Sequence, residues 1–183
     1  MSDESSSIRA RNPFLEALGR VTMAGAQLDS SLHHLVSALT HEPTLIFHLH
    51  DAGTDKLIQL CELALTVYPF EEGDIVEIKA CLKRADKLRI RRNDIVHSLY
   101  MQEESGEGLE AMKPIKRSIG FHVTPITPEA MEAVADEIEV LRHDLFVVGW
   151  NARASEREGN QRIPSRQPGQ KVNGVVASRL GSP

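Results

Sequence analysis

Aromatic side chains are scarce in this chain: five Phe, two Tyr and one Trp, 4% of the residues. A core cannot be built around rings at that level, so Leu, Ile, Val and Ala must fill it, as in packed helices. Cysteine is nearly absent, with Cys61 and Cys81 the only two. That excludes the dense disulfide framework of small secreted domains. Each cysteine lies among apolar residues in a helical pattern, which reads as a small buried hydrophobe in a reducing compartment. A bond between them is the alternative that sequence leaves open. No apolar run is long enough to span a bilayer. The opening stretch, Met1 to Ser7, is acidic and serine-rich and lacks the basic-then-apolar order of a secretory leader. A cytoplasmic protein with no membrane partner is expected. Excess positive charge is missing as well. The net charge is −5, so the chain as a whole does not advertise nucleic-acid binding. There is no glycine-rich phosphate loop, no serine nucleophile elbow and no Cys-x-x-Cys.

What is present is helical periodicity. With 183 residues, 41% of them hydrophobic, the chain suits one domain with tails. Asn12-Pro13 reads as an N-cap followed by proline in the first helical position. Behind it Phe14, Leu18, Val21, Gly25, Leu28, Leu32, Leu35 and Leu39 recur in steps of four and three, one continuous apolar seam. Gly25 interrupts the seam and marks a place where another helix can come close. His41 to Pro43 ends this helix. Thr44 to His50 predicts a helix of two turns, closed by Asp51-Ala52-Gly53. Thr54 is the expected cap of a third helix, with Leu57, Leu60 or Cys61, Ala64 and Leu65 inward and Pro69 as its stop. Asp74 is the expected cap of a fourth. Ser98 to Gln102 looks extended, Glu103 to Gly108 is a turn or loop, and Ile115 to Ile126 alternates enough to predict a hairpin. Thr127-Pro128 repeats the cap-plus-proline device. A last helix follows on Met131, Val134, Ile138, Leu141, Leu145 and Val148. From Ser155 onward periodicity is lost. That tail holds five basic residues and two acids, leaving the body at −8. The expected class is all-α, a bundle of about four to five helices with a small β-hairpin insertion before the last one. Its domain is 12–154, between a disordered N-terminus, 1–11, and a disordered polar, basic tail, 155–183.

The segment richest in chemistry lies at the end of the fourth helix. The stripe Ile78, Cys81, Ala85, Leu88, Arg92, Ile95, Leu99 keeps the three–four rhythm, and Arg92 stands where an apolar side chain is called for. A buried guanidinium without a partner is costly, so Arg92 is expected either to line a wet groove or to meet a partner: a carboxylate, backbone carbonyls or a phosphate. Seven basic residues crowd the fourteen positions from Lys79 to Arg92, with Asp86 the one acid. Lys79, Lys83, Lys87 and Arg91 are four apart and form a positive stripe, read either as an RNA-backbone contact or as a solvated helix face. Arginine binds phosphate bidentately and histidine moves protons near neutral pH. At about 100° per residue, however, His97 sits about 140° around the helix from Arg92. Long side chains, a helix break or a second copy could bring both to one atom.

Arg92-Asn93-Asp94-Ile95-Val96-His97 resembles the Arg-x4–6-His signature of HEPN domains, in the form where a polar residue follows the arginine. The resemblance extends from Pro13 to Asn151, through a long opening helix, a helix entering the motif and a closing helix. It implies a small helical bundle that dimerises to form one site, and a metal-independent endoribonuclease of the kind found in toxin–antitoxin and other defence systems. It implies that Arg92 holds the scissile phosphate, that His97 acts as acid or base on the ribose 2′-hydroxyl or the leaving oxygen, and that Asn93 orients one of them. Lys83, Lys87 and Arg91 would contact RNA, and no cofactor is called for. Partners would be RNA, a second copy of the chain, and an antitoxin or operon partner protein. The alternative is a non-catalytic HEPN-like module binding RNA, nucleotide or protein in such a system, with Arg92, Asn93 and His97 forming a structural network. On the first helix, Asp29, Ser30 and His33 are the candidates for a further polar site residue. His33, His34, His41, His48 and His50 cluster in sequence but form no familiar ligand set, so no metal is expected.

Overall fold

The protein is described by a computed structural model covering residues 12–102, 109–115, 119–154, 161–165, 171–172 and 175–176. It is mostly helical, with a small three-stranded antiparallel sheet inserted before the last helix. The disordered segment expected at 1–11 lies outside the described residues, as does the loop at 103–108.

Helix α1, Pro13–Thr40, begins as its sequence dictates: the Asn12 side chain accepts from the Phe14 and Leu15 amides at 3.0 and 3.2 Å. His41 ends it in the left-handed region at φ 59°. Val21, Gly25, Leu28, Leu32, Leu35 and Leu39 are buried, so the seam is the core face. Helix α2, Leu45–His48, is one turn and not the expected two. None of its residues is buried, so no apolar face repays a longer helix.

Two expected caps are overturned. Helix α3, Thr54–Val67, has Gly53 at its N-cap, and Thr54 is instead buried inside its first turn. Helix α4, Glu72–Val96, has Glu71 at its N-cap, and Asp74 is a buried residue whose carboxylate receives Arg162. In both cases a long-range partner claims the oxygen that would otherwise cap. The α4 stripe is buried at Ile78, Cys81, Ala85, Leu88 and Ile95, but Leu99 is exposed because the helix ends at Val96.

The predicted hairpin is one part of a meander: β1 Leu99–Gln102, β2 Leu109–Pro114 and β3 Phe121–Ile126, paired in that order. Leu99 faces Met112, which faces Val123, and Tyr100 faces Ala111, which faces Thr124. A bare hairpin is marginal in water, and the third strand supplies the missing pairing. The turn joining β2 to β3 closes with the Ile115 amide donating to the Gly120 carbonyl at 3.0 Å, Gly120 taking φ 144°. Tyr100 and Ile126 pack on the core, and Phe14 meets the Tyr100 ring edge-on at 4.7 Å. The opposite face leaves Leu99, Met101, Phe121 and Val123 exposed.

Helix α5, Pro128–Asn151, is capped by Thr127, which accepts from the Ala130 amide at 3.2 Å. Its face of Met131, Val134, Ile138, Leu141, Leu145 and Val148 is buried. It packs along α1 and against α4, while α3 closes the other flank of α1. Much of the expected tail, 155–183, lies outside the described residues, which there are 161–165, 171–172 and 175–176. Asn151 both donates to and accepts from the Ile163 backbone at 2.8 Å, and Arg162 reaches Asp74. Farther on, β4 Lys171–Val172 pairs with β5 Val175–Val176. Among the described residues, no helix is long and apolar enough to cross a membrane.

Candidate functional site

Arg92 is the side chain around which a site can be built. It leaves α4 toward α1 and lies in the notch that Gly25 provides. A Cβ at that position would stand 2.8 Å from the Arg92 Nε and 3.2 Å from its Cδ and Cζ. The missing side chain on α1 is thus what admits the guanidinium between the helices. Beyond the notch, Nη2 lies 3.8 Å from Asp29 Oδ2 and donates to Thr54 Oγ1 at 3.4 Å. The Thr54 hydroxyl in turn donates to Asp29 Oδ1. Three helices therefore meet in one polar relay, from Arg92 to Thr54 to Asp29.

The arginine in this relay is poorly satisfied. Charge-assisted N–H···O bonds run at about 2.7–2.9 Å. Other guanidiniums of the bundle reach that limit: Arg20 with Asp136 at 2.7 Å, Arg84 with Asp144 at 2.6 Å, and Arg91 with Glu137 at 2.6 Å. Arg92, with its side chain 19% exposed, makes two long contacts, and its Nε is buried with no hydrogen-bond acceptor among the described residues. A guanidinium in that condition retains donors for an anion. One turn along α1 from Asp29, His33 has its Nδ1 buried without a partner among the described residues. Burial holds the His33 imidazole below its ordinary pKa, the Asp29 charge opposes that shift, and the charges of His34 and His50 add to it.

His97 is not brought to Arg92. α4 runs regularly through Val96, and His97 is its exposed C-cap, its amide donating to the Asn93 carbonyl at 3.1 Å. Among the described residues, the side chains of His97 and Asn93 make no hydrogen bond or ion pair. The helical end itself is buttressed: the Tyr100 hydroxyl donates to the Ile95 carbonyl, and Lys113 pairs with Asp94. Burial raises the pKa of that Tyr100 phenol, keeping it a donor. On a regular helix the two side chains leave the axis about 140° apart, and no hydrogen bond joins them among the described residues.

The basic stripe is thinned by its neighbours. Arg91 is tied to Glu137, and Arg89 to Asp86 at 2.6 Å and to Asp55 at 3.6 Å. Lys79, Lys83 and Lys87 are exposed and have no partner among the described residues. No group of three or more His, Cys, Asp or Glu is placed to hold a metal ion, again among the described residues.

No family model, curated protein or solved structure matches this chain.

Of the site residues, Thr54 escaped the sequence. Its place after Gly53 fitted a helix cap, and nothing local signals a carboxylate 25 residues upstream. Gly25 and Asp29 left a signal: an interrupted apolar seam, and an acid one turn beyond it.

Proposed function

We propose that this protein is a HEPN-like, metal-independent endoribonuclease that acts as a dimer. The observation that carries the reading is the under-satisfied guanidinium of Arg92, held in a preformed notch with an unused buried donor. A phosphate offers it the short, paired contacts that Asp29 does not. In the reaction, the ribose 2′-oxygen attacks the adjacent phosphorus and the bond from phosphorus to the 5′-oxygen breaks. The products are a 2′,3′-cyclic phosphate and a 5′-hydroxyl. A base takes the 2′-proton and an acid supplies one to the leaving oxygen, so no metal-bound water is required. The exposed, unengaged imidazole of His97 can do either. Because a regular helix turns it about 140° from the Arg92 of its own chain, the partner copy completes the site. Asn93, half-buried between the two, orients the phosphate or the imidazole. Lys83 and Lys87 hold the RNA backbone, and Arg91 contributes less because Glu137 already neutralises it.

The test is incubation of the purified protein with structured RNA in the presence of a chelator. Cleavage is expected, with cyclic phosphate ends, and is expected to vanish in Arg92→Ala and His97→Ala variants that remain folded. A second reading has its own observation. The relay joining Arg92, Thr54 and Asp29 ties three helices together, as a structural network would. Under it the chain is a non-catalytic HEPN-like module that binds RNA, a nucleotide or a protein in a defence or toxin–antitoxin operon. Intact RNA in that assay, together with a large loss of stability in Arg92→Ala, would establish the second reading over the first.

A further inference from the structure

The proposed reaction leaves His33 without a task. It stands four residues beyond Asp29 on α1, about 6 Å farther along the axis and turned by only about 40°. It therefore shares the Asp29 face of the helix, and the Asp29 charge reaches it. The His50 charge reaches it as well, from the turn between α2 and α3 that leads into Thr54. Arg92 approaches the same carboxylate from one turn earlier on α1, through the notch at Gly25, with Nη2 3.8 Å from Asp29 Oδ2. Along α1, Asp29 thus separates a guanidinium with spare donors from an imidazole.

The ring itself is unevenly placed. Nδ1 is buried and has no partner among the described residues, although the residue as a whole is only part-buried. Nε2 is then the nitrogen that the ring presents outward. Burial keeps the imidazole below its ordinary pKa, so at mildly alkaline pH it is neutral and carries a single N–H. On Nδ1 that proton would be a buried donor with no acceptor. On Nε2 it leaves only an unused lone pair inside, and orphaned N–H groups are the rarer and costlier of the two. The ring is therefore a neutral donor whose N–H faces out. Among the described residues nothing accepts that bond, so an acceptor must come from outside the chain to complete it.

A phosphodiester supplies it. Its two non-bridging oxygens each accept at about 2.7–2.9 Å, so donors on either side of Asp29 can hold it together. We infer that His33 is a phosphate-binding residue of the Arg92 site, its Nε2–H donating to one non-bridging oxygen while the guanidinium holds the other. The inference rests on the ribonuclease reading for the identity of the anion. A neutral donor keeps its bond throughout the reaction, and the charge that gathers on those oxygens as the 2′-oxygen attacks strengthens it. No proton leaves His33, so the acid–base steps stay with His97.

The test uses the full chain and a 2′-O-methyl RNA dodecamer, which cannot be cut because its 2′-oxygen carries no proton. Long-range nitrogen-15 correlation spectra of the histidine rings at mildly alkaline pH should show the Nε2–H tautomer, the His33→Gln spectrum marking which signals are those of His33. The dodecamer should shift the Nε2 signal in the wild-type chain and leave it in place in Arg92→Ala. By fluorescence anisotropy, His33→Leu should bind the dodecamer about tenfold more weakly, and His33→Gln, whose amide N–H lies near the position of Nε2, should stay within about threefold of wild type. Neither variant should lower the urea midpoint, because Nδ1 has no bond to lose, whereas loss of a structural histidine would lower it. An Nδ1–H tautomer, an unmoved Nε2 signal, no binding by the wild type, or a His33→Leu variant that binds like wild type overturns the inference. So does an equal loss in the leucine and glutamine variants, for then the imidazole moves a proton. The ribonuclease reading fails separately. Intact RNA in the chelated assay, beside the expected tautomer, shift and affinities, leaves a phosphate site without the reaction. Cleavage that both His33 variants sustain at the wild-type rate keeps the reaction and discards His33.

Discussion

Replacing Gly25 with alanine puts two opposed effects on one methyl group. In a helix interior, alanine is favoured over glycine by roughly 0.5–1 kcal/mol, because it has less backbone freedom to lose. Against that, the new Cβ would lie 2.8 Å from the Arg92 Nε, closer than such atoms sit, and a tight 3.2 Å from Cδ and Cζ. The guanidinium is the movable partner. It can retreat only by giving up its contacts with Thr54 at 3.4 Å and Asp29 at 3.8 Å. Those contacts are long and partly wet, so their loss costs about 0.5–1.5 kcal/mol. The two effects nearly cancel, and Gly25→Ala alone should change stability by less than about 1 kcal/mol. The coupling is the sharper quantity. In an Arg92→Ala background the clash is gone and the propensity gain remains, so the same substitution should stabilise by roughly 0.5–1 kcal/mol. Urea unfolding of the four proteins of this cycle, followed by circular dichroism, measures it. Equal effects of Gly25→Ala in both backgrounds would mean that Arg92 does not occupy the notch, and the description of the site would fail with it. If Arg92 also serves the reaction, Gly25→Ala should lower RNA cleavage far more than it lowers stability.

The relay makes a second prediction through Asp29. Asp29→Asn removes the negative charge that competes with phosphate for Arg92, so RNA should bind tighter by roughly tenfold at low salt, measured by filter binding. Unchanged affinity would separate Arg92 from RNA. Arg162→Ala strips the partner from Asp74, whose side chain is only 6% exposed, while Arg162 itself is 45% exposed. With the pair half screened, a loss of about 1–2 kcal/mol is expected in the urea midpoint, with faster amide exchange at Ile163. Burial pushes the Cys61 thiol up to about 12 and the Cys81 thiol up to about 11, from 9.0. Because the folded state holds these protons more tightly, their contribution to stability is whole below pH 9 and declines as the pH climbs toward 11–12. Iodoacetamide at pH 9 should therefore modify the urea-unfolded chain quickly and the native protein only at its rate of opening. Asn12→Ala leaves the Phe14 and Leu15 amides without their acceptor and should cost about 1 kcal/mol.

The long helices were legible because burial repeats. The seams of α1 and α5 need no information beyond their own spacing, and Asn12-Pro13 and Thr127-Pro128 mark their starts with oxygens that do cap. Thr54 and Asp74 carry the same chemical label and do something else, since a side-chain oxygen is indifferent to whether its donor is local or remote. Strand β2 was hidden for a related reason. Leu-Glu-Ala-Met-Lys-Pro contains good helix formers and no alternation, and it becomes a strand because β1 and β3 offer it pairing on both sides. The paired hydrogen bonds of Asn151 with Ile163 join α5 to a segment that has no periodicity to announce such a contact.

Arg92 lies between these cases. Its place in an apolar stripe called for a partner or a wet groove, and it does meet Thr54 and Asp29, though at long range. The identity of the partner was beyond one-dimensional reach, because the relay draws on α1, α3 and α4 at once. What the structure adds is the quality of the contact. A tight, two-bonded pair such as a structural arginine commonly forms would have closed the question. Instead the bundle leaves Arg92 loosely held while Arg20, Arg84 and Arg91 are held at bonding distance. The same chain can evidently make short arginine–carboxylate pairs, so the length of this one is set locally: Thr54 has taken one Asp29 oxygen, and the Gly25 notch fixes how far the guanidinium advances. A guanidinium stopped short of its carboxylate retains donors for another anion, and that is the physical ground on which we propose a phosphate for it.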